Sequence, residues 1–594
     1  TILEGLSVST KFQLEHVQKD SRQLYTDETY YVRDVVNRFT TLDLKKKTAT
    51  AHIEKGSILN EGKYATDAYN WRNQLDFNRT FAERHAINAV AGVEVSQSKI
   101  NNRTFAPIYG YDDNYLTSRP IQEVVVTNCF NERKVSIPVK SMFRYSLQRY
   151  FSAFTNLAYT FDDKYSISGS FRTDASNFIT DDPKYRYSPF WSVGFSWNMM
   201  HEEFMKSQHW LDYLTPRITY GCNGNANTTT SMVPLITMAG VSDITQEQYA
   251  RISSYGNPQM SWEQTHVVNF GIDWSMFGGK FYGKIDVYNK KGTDIMADVS
   301  VPIASGQLKP GFNIVDAKIT ANAAEVTNRG FEMELGSSQD FGAGVHWDGN
   351  VTLAYNKNKV DKLYLGYVGH DKMRDPIPIE GYDINGLWAY QYAGLRERTD
   401  DEANTYKVPN IYVDNEGNIA PIDNILENTD GRKAMKYMGT TVAPWTVGMS
   451  HSFEYKEWAL SFTMIGKFGH KFRQTGFNYA DPLVTIPNRQ YTQLQDETVM
   501  PMPDNKFINL SHYSSISPYM DYNVKGANHV RMQELTLSYS LPQVLLRKWG
   551  ISRLTCYLQG NDLFTIKATD EDPEYAYGGF RLQPTYTIGV KFAY

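Results

Sequence analysis

Nowhere in the 594 residues is there an uninterrupted apolar run of about 18, the length a membrane-crossing helix needs. That absence leaves strands untouched, because a transmembrane strand takes only about 9–11 residues and hides its apolar half by alternation. Cysteine is nearly missing. Cys129, Cys222 and Cys556 stand far apart with no CxxC pair, which excludes a disulfide framework and a thiolate metal knuckle. Cys556 shares the parity of Leu554 and Leu558 and reads as a small apolar filler. Positive charge is not in excess either: 60 Lys and Arg face 65 Asp and Glu, which gives no footprint for nucleic acid. There is no initiator Met and no signal peptide, and the opening TILEGLSVSTKFQLEH already reads as a strand. The chain is therefore expected to be a processed or incomplete piece of something longer.

Catalytic and ligand motifs are lacking as well. In HEEFMKSQH a zinc-binding helix would need a second His four residues after His201, where Met205 stands. GCNGNAN is glycine-rich but lacks the Lys-Ser/Thr of a phosphate loop, and it lies at a strand end where Gly and Asn serve turns. No Ser-His-Asp set can be assigned from spacing. YVDNEGNIAPIDN, with Asp414, Asn415, Glu416 and Asn418, lacks the spacing of a calcium loop and reads as a solvated turn. No cofactor, metal or enzymatic activity is expected.

What the chain has is alternation. In PTYTIGVKFAY, Tyr586, Ile588, Val590, Phe592 and Tyr594 share one parity, while Thr585, Thr587, Gly589, Lys591 and Ala593 share the other. A period of two gives one apolar and one polar face. The pattern recurs from end to end: Phe151, Ala153, Leu157, Tyr159 and Phe161; Trp191, Val193, Phe195 and Trp197; Val268, Phe270, Ile272 and Trp274; Trp445, Val447, Met449, Phe453 and Tyr455. Aromatics gather beside the turns, as girdles at two membrane interfaces would.

The spacing predicts about 18 strands, beginning near 5, 31, 47, 70, 84, 150, 165, 190, 214, 266, 281, 328, 346, 444, 458, 530, 551 and 584. Short links fall at 43–46, 81–83, 162–164, 278–280, 338–345 and 456–457, with longer ones near 199–213 and 542–550. Between them lie loops at 97–149, 223–265, 291–327, 357–443 and 469–529, too long for a compact soluble domain. The fold class expected is all-β, a transmembrane antiparallel β-barrel with short turns toward the periplasm and long extracellular loops. In a closed barrel the last strand meets the first, because open edges cannot face lipid.

Several stretches, in order, resemble the SusC/RagA family of TonB-dependent outer-membrane transporters: YNWRNQLDFNRTFAERHAINAVAGVEVSQ (69–97), DKYSISGSFRTDASNF (163–178), SVGFSWNMMHEEFM (192–205), LTPRITYGCNGN (214–225), NPQMSWEQTHVVNFGIDWSMFGGKFYGKIDVYNKKGTDIM (257–296), VTNRGFEMEL (326–335), MKYMGTTVAPWTVGM, HVRMQELTLSYSLP and LQGNDLF. The resemblance implies a 22-stranded barrel filled by an N-terminal plug. Residues 1–594 would then be the barrel alone, without the plug, the TonB box and the first four strands. It implies an integral protein of a Gram-negative outer membrane, C-terminus periplasmic, importing an oligosaccharide or oligopeptide. TonB would supply the energy and a SusD-like surface lipoprotein would cap the outer loops, with a dimer of such pairs as one assembly. The alternatives are a passive porin-like barrel and a barrel recruited as scaffold in a larger outer-membrane complex.

The apolar parity of the last strand, Tyr586, Ile588, Val590, Phe592 and Tyr594, resembles the C-terminal signal read during outer-membrane insertion. For substrate, the loop aromatics Trp388, Tyr390 and Tyr392, with Tyr519, Tyr522 and nearby His529, offer rings for stacking on sugars or peptide side chains. The competing reading, which is preferred, packs those rings loop against loop or sets them in the outer girdle.

Overall fold

The computed structural model describes residues 4–43, 45–121, 125–127, 134–177, 186–225, 232–241, 244–245, 247–254, 256–300, 318–363, 368–399, 405–414, 416–421, 430–474, 516–547, 550–569, 572–574 and 583–593. Strands dominate them, and no described helix is long and apolar enough to cross a membrane. The chain divides into two units. The first holds Thr1–Arg79, Asn88–Asn156 and Arg172–Pro189; the second holds Thr80–Ile87, Leu157–Phe171 and Phe190–Tyr594.

In the first unit β1 (Leu6–Tyr25) runs antiparallel to β2 (Ser57–Phe81), in register from Leu6 opposite Phe77 to Tyr25 opposite Ile58. Next come β3 (His85–Thr104) and β4 (Met142–Phe161), mostly in this unit, and β5 (Tyr165–Ser176), whose first seven residues belong to the second. The link from β1 to β2 departs from expectation. Residues near 31 form a helix, α1 (Tyr30–Arg38), and those near 47 form half of a separate hairpin, Thr40–Asp43 with Thr48–Ala51. The short link expected near 43–46 therefore joins the two strands of this hairpin and not two strands of the large sheet. The YYVRDVVNR segment is helical because its valines work at a period of 3.6: Val32 and Val35 are buried on one stripe, and the Thr29 hydroxyl caps the amide of Val32. Around them close Phe39, Ile53, Tyr109, Val126 and Ile137 from connecting segments, with Ile58 from the start of β2.

The second unit continues with β6 (Ser188–Trp197), β7 (Leu211–Asn225), β8 (Glu263–Met276), β9 (Phe281–Ser300), β10 (Lys318–Asp340) and β11 (Val345–Leu363). It ends with β12 (Trp445–Tyr455), β13 (Trp458–Phe468), β14 (His529–Ser540), β15 (Arg553–Lys567) and β16 (Thr585–Ala593). From β6 to β16 each strand pairs antiparallel with the next. Strands begin earlier than alternation alone placed them, β2 at Ser57 and β10 at Lys318, because polar ends still find ladder partners. Long strands in the large sheet thus fall short of the expected 18, since two of those predicted lie in the β1–β2 loop.

Connections alternate in length as expected. Tight links after β4, β8, β10 and β12 use backbone that L-residues seldom adopt, with Asp162 and Asp163 at φ 58° and 54° and Lys456 at 54°. Two successive positive φ values match the right-handed twist of the flanking strands. The long connections carry structure of their own: a hairpin Leu235–Val241 with Gln248–Ser254, a pair Gly386–Tyr390 with Met435–Thr440, a three-stranded sheet of Tyr392–Thr399, Thr405–Tyr412 and Ile419–Pro421, and a pair Lys471–Arg473 with Val524–Gly526.

The faces separate cleanly. Val193 and Phe195 on β6, Ile218 on β7, Phe270 on β8, Val287 on β9, Leu460 on β13, Leu537 on β14, Leu558 on β15 and Ile588 on β16 are all exposed, Ile588 at 84%. Ladder partners keep this parity strand after strand, as in Phe270 opposite Val287 and Leu558 opposite Ile588. An uninterrupted apolar face of this extent requires an apolar solvent. Aromatic pairs mark both of its ends: Trp458 with Tyr539 and Trp347 with Phe453 near the tight turns, Trp445 with Tyr355 and Trp191 with Tyr220 near the long connections. Their rings suit headgroup depth, where one edge is wet.

Candidate functional site

On the polar face of β7 to β11 charge comes in cross-strand pairs. Arg217 on β7 reaches Asp273 on β8 at 3.0 Å and Asp286 on β9 at 2.8 Å. Its guanidinium lies over Gly271, where a Cβ would stand 2.6 Å from Cζ, so the position accepts only glycine without a shift. Lys284 on β9 meets Glu334 on β10 at 2.9 Å, and Glu334 also accepts from Asn350 on β11 at 2.8 Å. Exposed pairs of this kind contribute about 0–1 kcal/mol each. Their consequence is instead a wetted wall bearing both signs of charge. Toward the tight-turn end of β13 to β16 the same face hollows into a recess of about 500 Å³, lined by Ser461, Glu534, Thr536, Arg553, Tyr557 and Lys591. The Lys591 ammonium sits 5.0 Å from the centre of the Tyr557 ring. That ring fills the space above Gly589, where a Cβ would come within 2.3 Å of it.

Two long connections, after β11 and after β13, fold into a core of their own. Val368, Met373, Ile379, Trp388, Tyr390, Ile411, Met435, Ile516 and Met520 are its buried members. Tyr390, fully buried, pairs its backbone with Met520 and its hydroxyl with His370; burial raises that hydroxyl's pKa. Trp388 stacks edge-on against Tyr382 and Tyr437 at 4.9 and 5.5 Å. Tyr392 meets Tyr522 edge-on at 5.5 Å, and its amide donates to Asp521 at 3.3 Å. Arg473 ties the two connections together. It is almost wholly buried, its Nη2 donates to the Trp388 carbonyl at 2.6 Å, and its guanidinium lies 4.7 Å over Tyr519. Arg374 lies over the same ring at 5.3 Å.

The structure brings all five candidate rings together, but as packing. Trp388 and Tyr390 are buried, while Tyr392, Tyr519 and Tyr522 are half-buried against them. Sequence reasoning passed over Arg473, His370 and Arg217, which carry no motif; only partners distant in sequence identify them. Asp414 turns both carboxylate oxygens onto its own loop, accepting from the amides of Glu416 and Asn418 at 2.9 and 3.1 Å and from the Asn418 side chain at 2.6 Å. Glu202, in the HEEF stretch, accepts from Tyr165, from Trp197 at 3.1 Å and from Lys164 at 3.4 Å, so it braces a connection. Among the described residues no group of three or more His, Cys, Asp and Glu is placed to hold a metal. Tyr586, Ile588, Val590 and Phe592 line the exposed apolar face of β16, whereas Tyr594 and Cys129 lie outside the described residues.

An up-and-down antiparallel wall with one lipid-type face, one wet face and folded loops is the design of an outer-membrane barrel. The chain belongs to the family described as TonB dependent receptor-like, beta-barrel, whose model matches residues 5–496. The wall is thus that of a β-barrel, its polar face the lumen. Among its relatives are TonB-dependent receptor P26 of Formosa agariphila, 23% identical over 89% of this chain and 51% of that protein, and TonB-dependent receptor SusC of Bacteroides thetaiotaomicron, 24% identical over 66% of this chain and 37% of that one. The structure of the RagAB peptide transporter superposes with a TM-score of 0.74 at 19% identity, covering 100% of this chain and 60% of that one. The SusC/RagA resemblance read from the sequence is upheld, and the chain spans about half the length of the curated relatives it matches first.

Proposed function

We propose that this chain is the barrel portion of an outer-membrane importer for a polar oligomer, an oligosaccharide or oligopeptide, energised through TonB and working with a SusD-like surface lipoprotein. The observation that carries the reading is the pairing of faces: a continuous exposed apolar surface backed by a lumen wall bearing charges of both signs, with folded loops at one end. The lumen groups suit hydroxyl- and amide-rich solutes, and the wall carries out no chemistry. A lumen of about 22 strands is too wide for side chains to fill. The full protein is therefore expected to carry a plug and additional strands ahead of Thr1, and to lie in a Gram-negative outer membrane with its C-terminus periplasmic, in pairs with its lipoprotein. The exposed stripe Tyr586, Ile588, Val590 and Phe592, with Tyr594 of the same parity in the sequence, serves as the insertion signal.

The test is uptake and partnership in cells. Deleting TonB should abolish accumulation of the cognate oligomer, and affinity purification from native membranes should recover one surface lipoprotein. Uptake that persists without TonB would replace the reading with a passive pore; recovery of several unrelated subunits and no uptake would replace it with a scaffold.

A further inference from the structure

Near the long-connection end of β13 and β14 three nitrogen-bearing side chains, Lys467, His529 and Arg531, converge on the lumen face. A strict period of two along HVRMQELTLSYS would send His529 and Arg531 to the lipid face with Leu535, Leu537 and Tyr539. The ladder does otherwise: Glu534 pairs with Thr463 but Met532 with Met464, leaving Gln533 as a bulge. One extra residue exchanges the faces of everything before it. Arg531 then stands opposite Ile465 and His529 opposite Lys467, on the lumen side.

Two acids of the β15–β16 connection meet these side chains. Arg531 Nη2 donates to both oxygens of Asp572 at 3.1 Å and lies 2.8 Å from Glu574. The other oxygen of Glu574 is 2.5 Å from Lys467 Nζ and 3.4 Å from His529 Nε2. The His529 Nδ1–H donates to the Ala527 carbonyl at 2.8 Å, which aims Nε2 at the carboxylate. Side-chain exposure is graded: 8% for Arg531 and 7% for Asp572, against 28% for Glu574 and 40% for Lys467. Asp572 neutralises the deep side, and Glu574 occupies the side open to solvent.

A second observation points to a ligand. His470, two residues beyond β13, is 8% exposed with its ring 5.7 Å from that of His529, and its Nδ1 has no hydrogen-bond partner. Burial first, then the neighbouring His529 and Lys467, push its pKa down to about 4, so it is a neutral imidazole with a spare nitrogen. A buried polar atom left unpaired costs stability unless something supplies its partner.

We infer that Lys467, His529 and Arg531 form a carboxylate-binding site in the lumen wall, that Glu574 occupies it as an internal stand-in, and that a solute carboxylate takes its place. The inference rests on the import reading and narrows the cargo to acidic oligomers. Exchanging one carboxylate for another keeps the buried Arg531 guanidinium fully paired, and loss of its partners is the costly outcome. Neutral sugars and amides cannot make that exchange. The Glu574 side chain need only turn aside.

The test is calorimetric titration of the full-length transporter, purified from outer membranes, with pentaglutamate and with tetragalacturonate, against pentaglutamine and maltotetraose. At least one acidic probe should bind where its neutral counterpart does not, and the preferred probe identifies peptide or glycan as the source. Glu574→Gln should tighten that binding by about fivefold and Lys467→Gln weaken it by about fivefold, each amounting to one partly exposed ion pair. Lys467 lies near the solvent side, and retained heat-modifiable mobility on gels shows that the variants fold. No acidic binding in either wild type or Glu574→Gln, or equal affinities across the three proteins, would make the cluster a purely structural latch. TonB-dependent uptake of the cognate oligomer is scored separately, so the site can fail while import stands, and import can fail while the site binds.

Discussion

The first unit closes its loop core over Val32, Val35, Phe39, Ile53 and Ile58, with the Tyr109 hydroxyl satisfied by the Pro138 carbonyl at 2.9 Å. The second unit closes its own over Trp388, Tyr390, Ile411 and Met520, but buries Arg473, His370 and Asn523 among and beside them. An aliphatic core loses stability in proportion to the volume removed. A core stitched by buried polar groups depends on every stitch, because a partner left alone is desolvated and unpaired. The two cores should therefore fail differently, and four experiments set them against each other.

The largest effect is expected at Arg473. Its replacement by Met removes the charged donor to the Trp388 carbonyl and the cation over Tyr519, a loss of about 3 kcal/mol. Limited proteolysis should then cut the segment 364–444 rapidly while the barrel wall persists; unchanged cleavage would show that the stitch is dispensable. Ile58→Ala in the other core should cost about 2 kcal/mol, seen as faster cleavage of the β1–β2 connection alone.

The pH responses should have opposite signs. His470 in the second unit is depressed to about 4, so between its ordinary value near 6.5 and 4 the unfolded chain binds a proton that the folded one refuses. Stability should fall as pH drops through that window, by about 1.4 kcal/mol per unit, and His470→Asn should flatten the slope. Glu574, held low by Lys467, Arg531 and His529 against the larger opposing effect of burial, adds to the same acid loss. In the first unit burial pushes Tyr109 up to about 12, so its core should weaken only as pH rises from 10 toward 12. Hydrogen exchange resolved by segment separates the two; a shared acid midpoint would contradict the contrast. The smallest effect is Thr29→Ala, which removes the cap on α1 and should cost about 1 kcal/mol, read as faster exchange over 30–38 with no change in the second unit.

Much of the wall was legible beforehand. Tyr586, Ile588, Val590 and Phe592 declare their face by parity alone, and the tight turns at 162–164 and 456–457 fall where alternation breaks. The loop site was less legible. Trp388 and Tyr390 look the same in sequence whether a ring is offered to a solute or buried, and their burial is decided by Met520 and Arg473, more than 80 positions away. The segment after β1 misled for a related reason, since YYVRDVVNR suits a strand by β-branching and a helix by spacing.

The sequence by itself determined which residues can face lipid and which can face water, where the chain reverses, and the family to which the barrel belongs. These are properties of period and of order along the chain, and they need no partner. Only the tertiary structure decided that Val32 and Val35 sit on a helix, that the five loop rings form a core, and that His529 and Arg531 turn inward. A helix stripe needs a core to cover it, burial needs a neighbour, and a bulge is set by the register of the strand alongside.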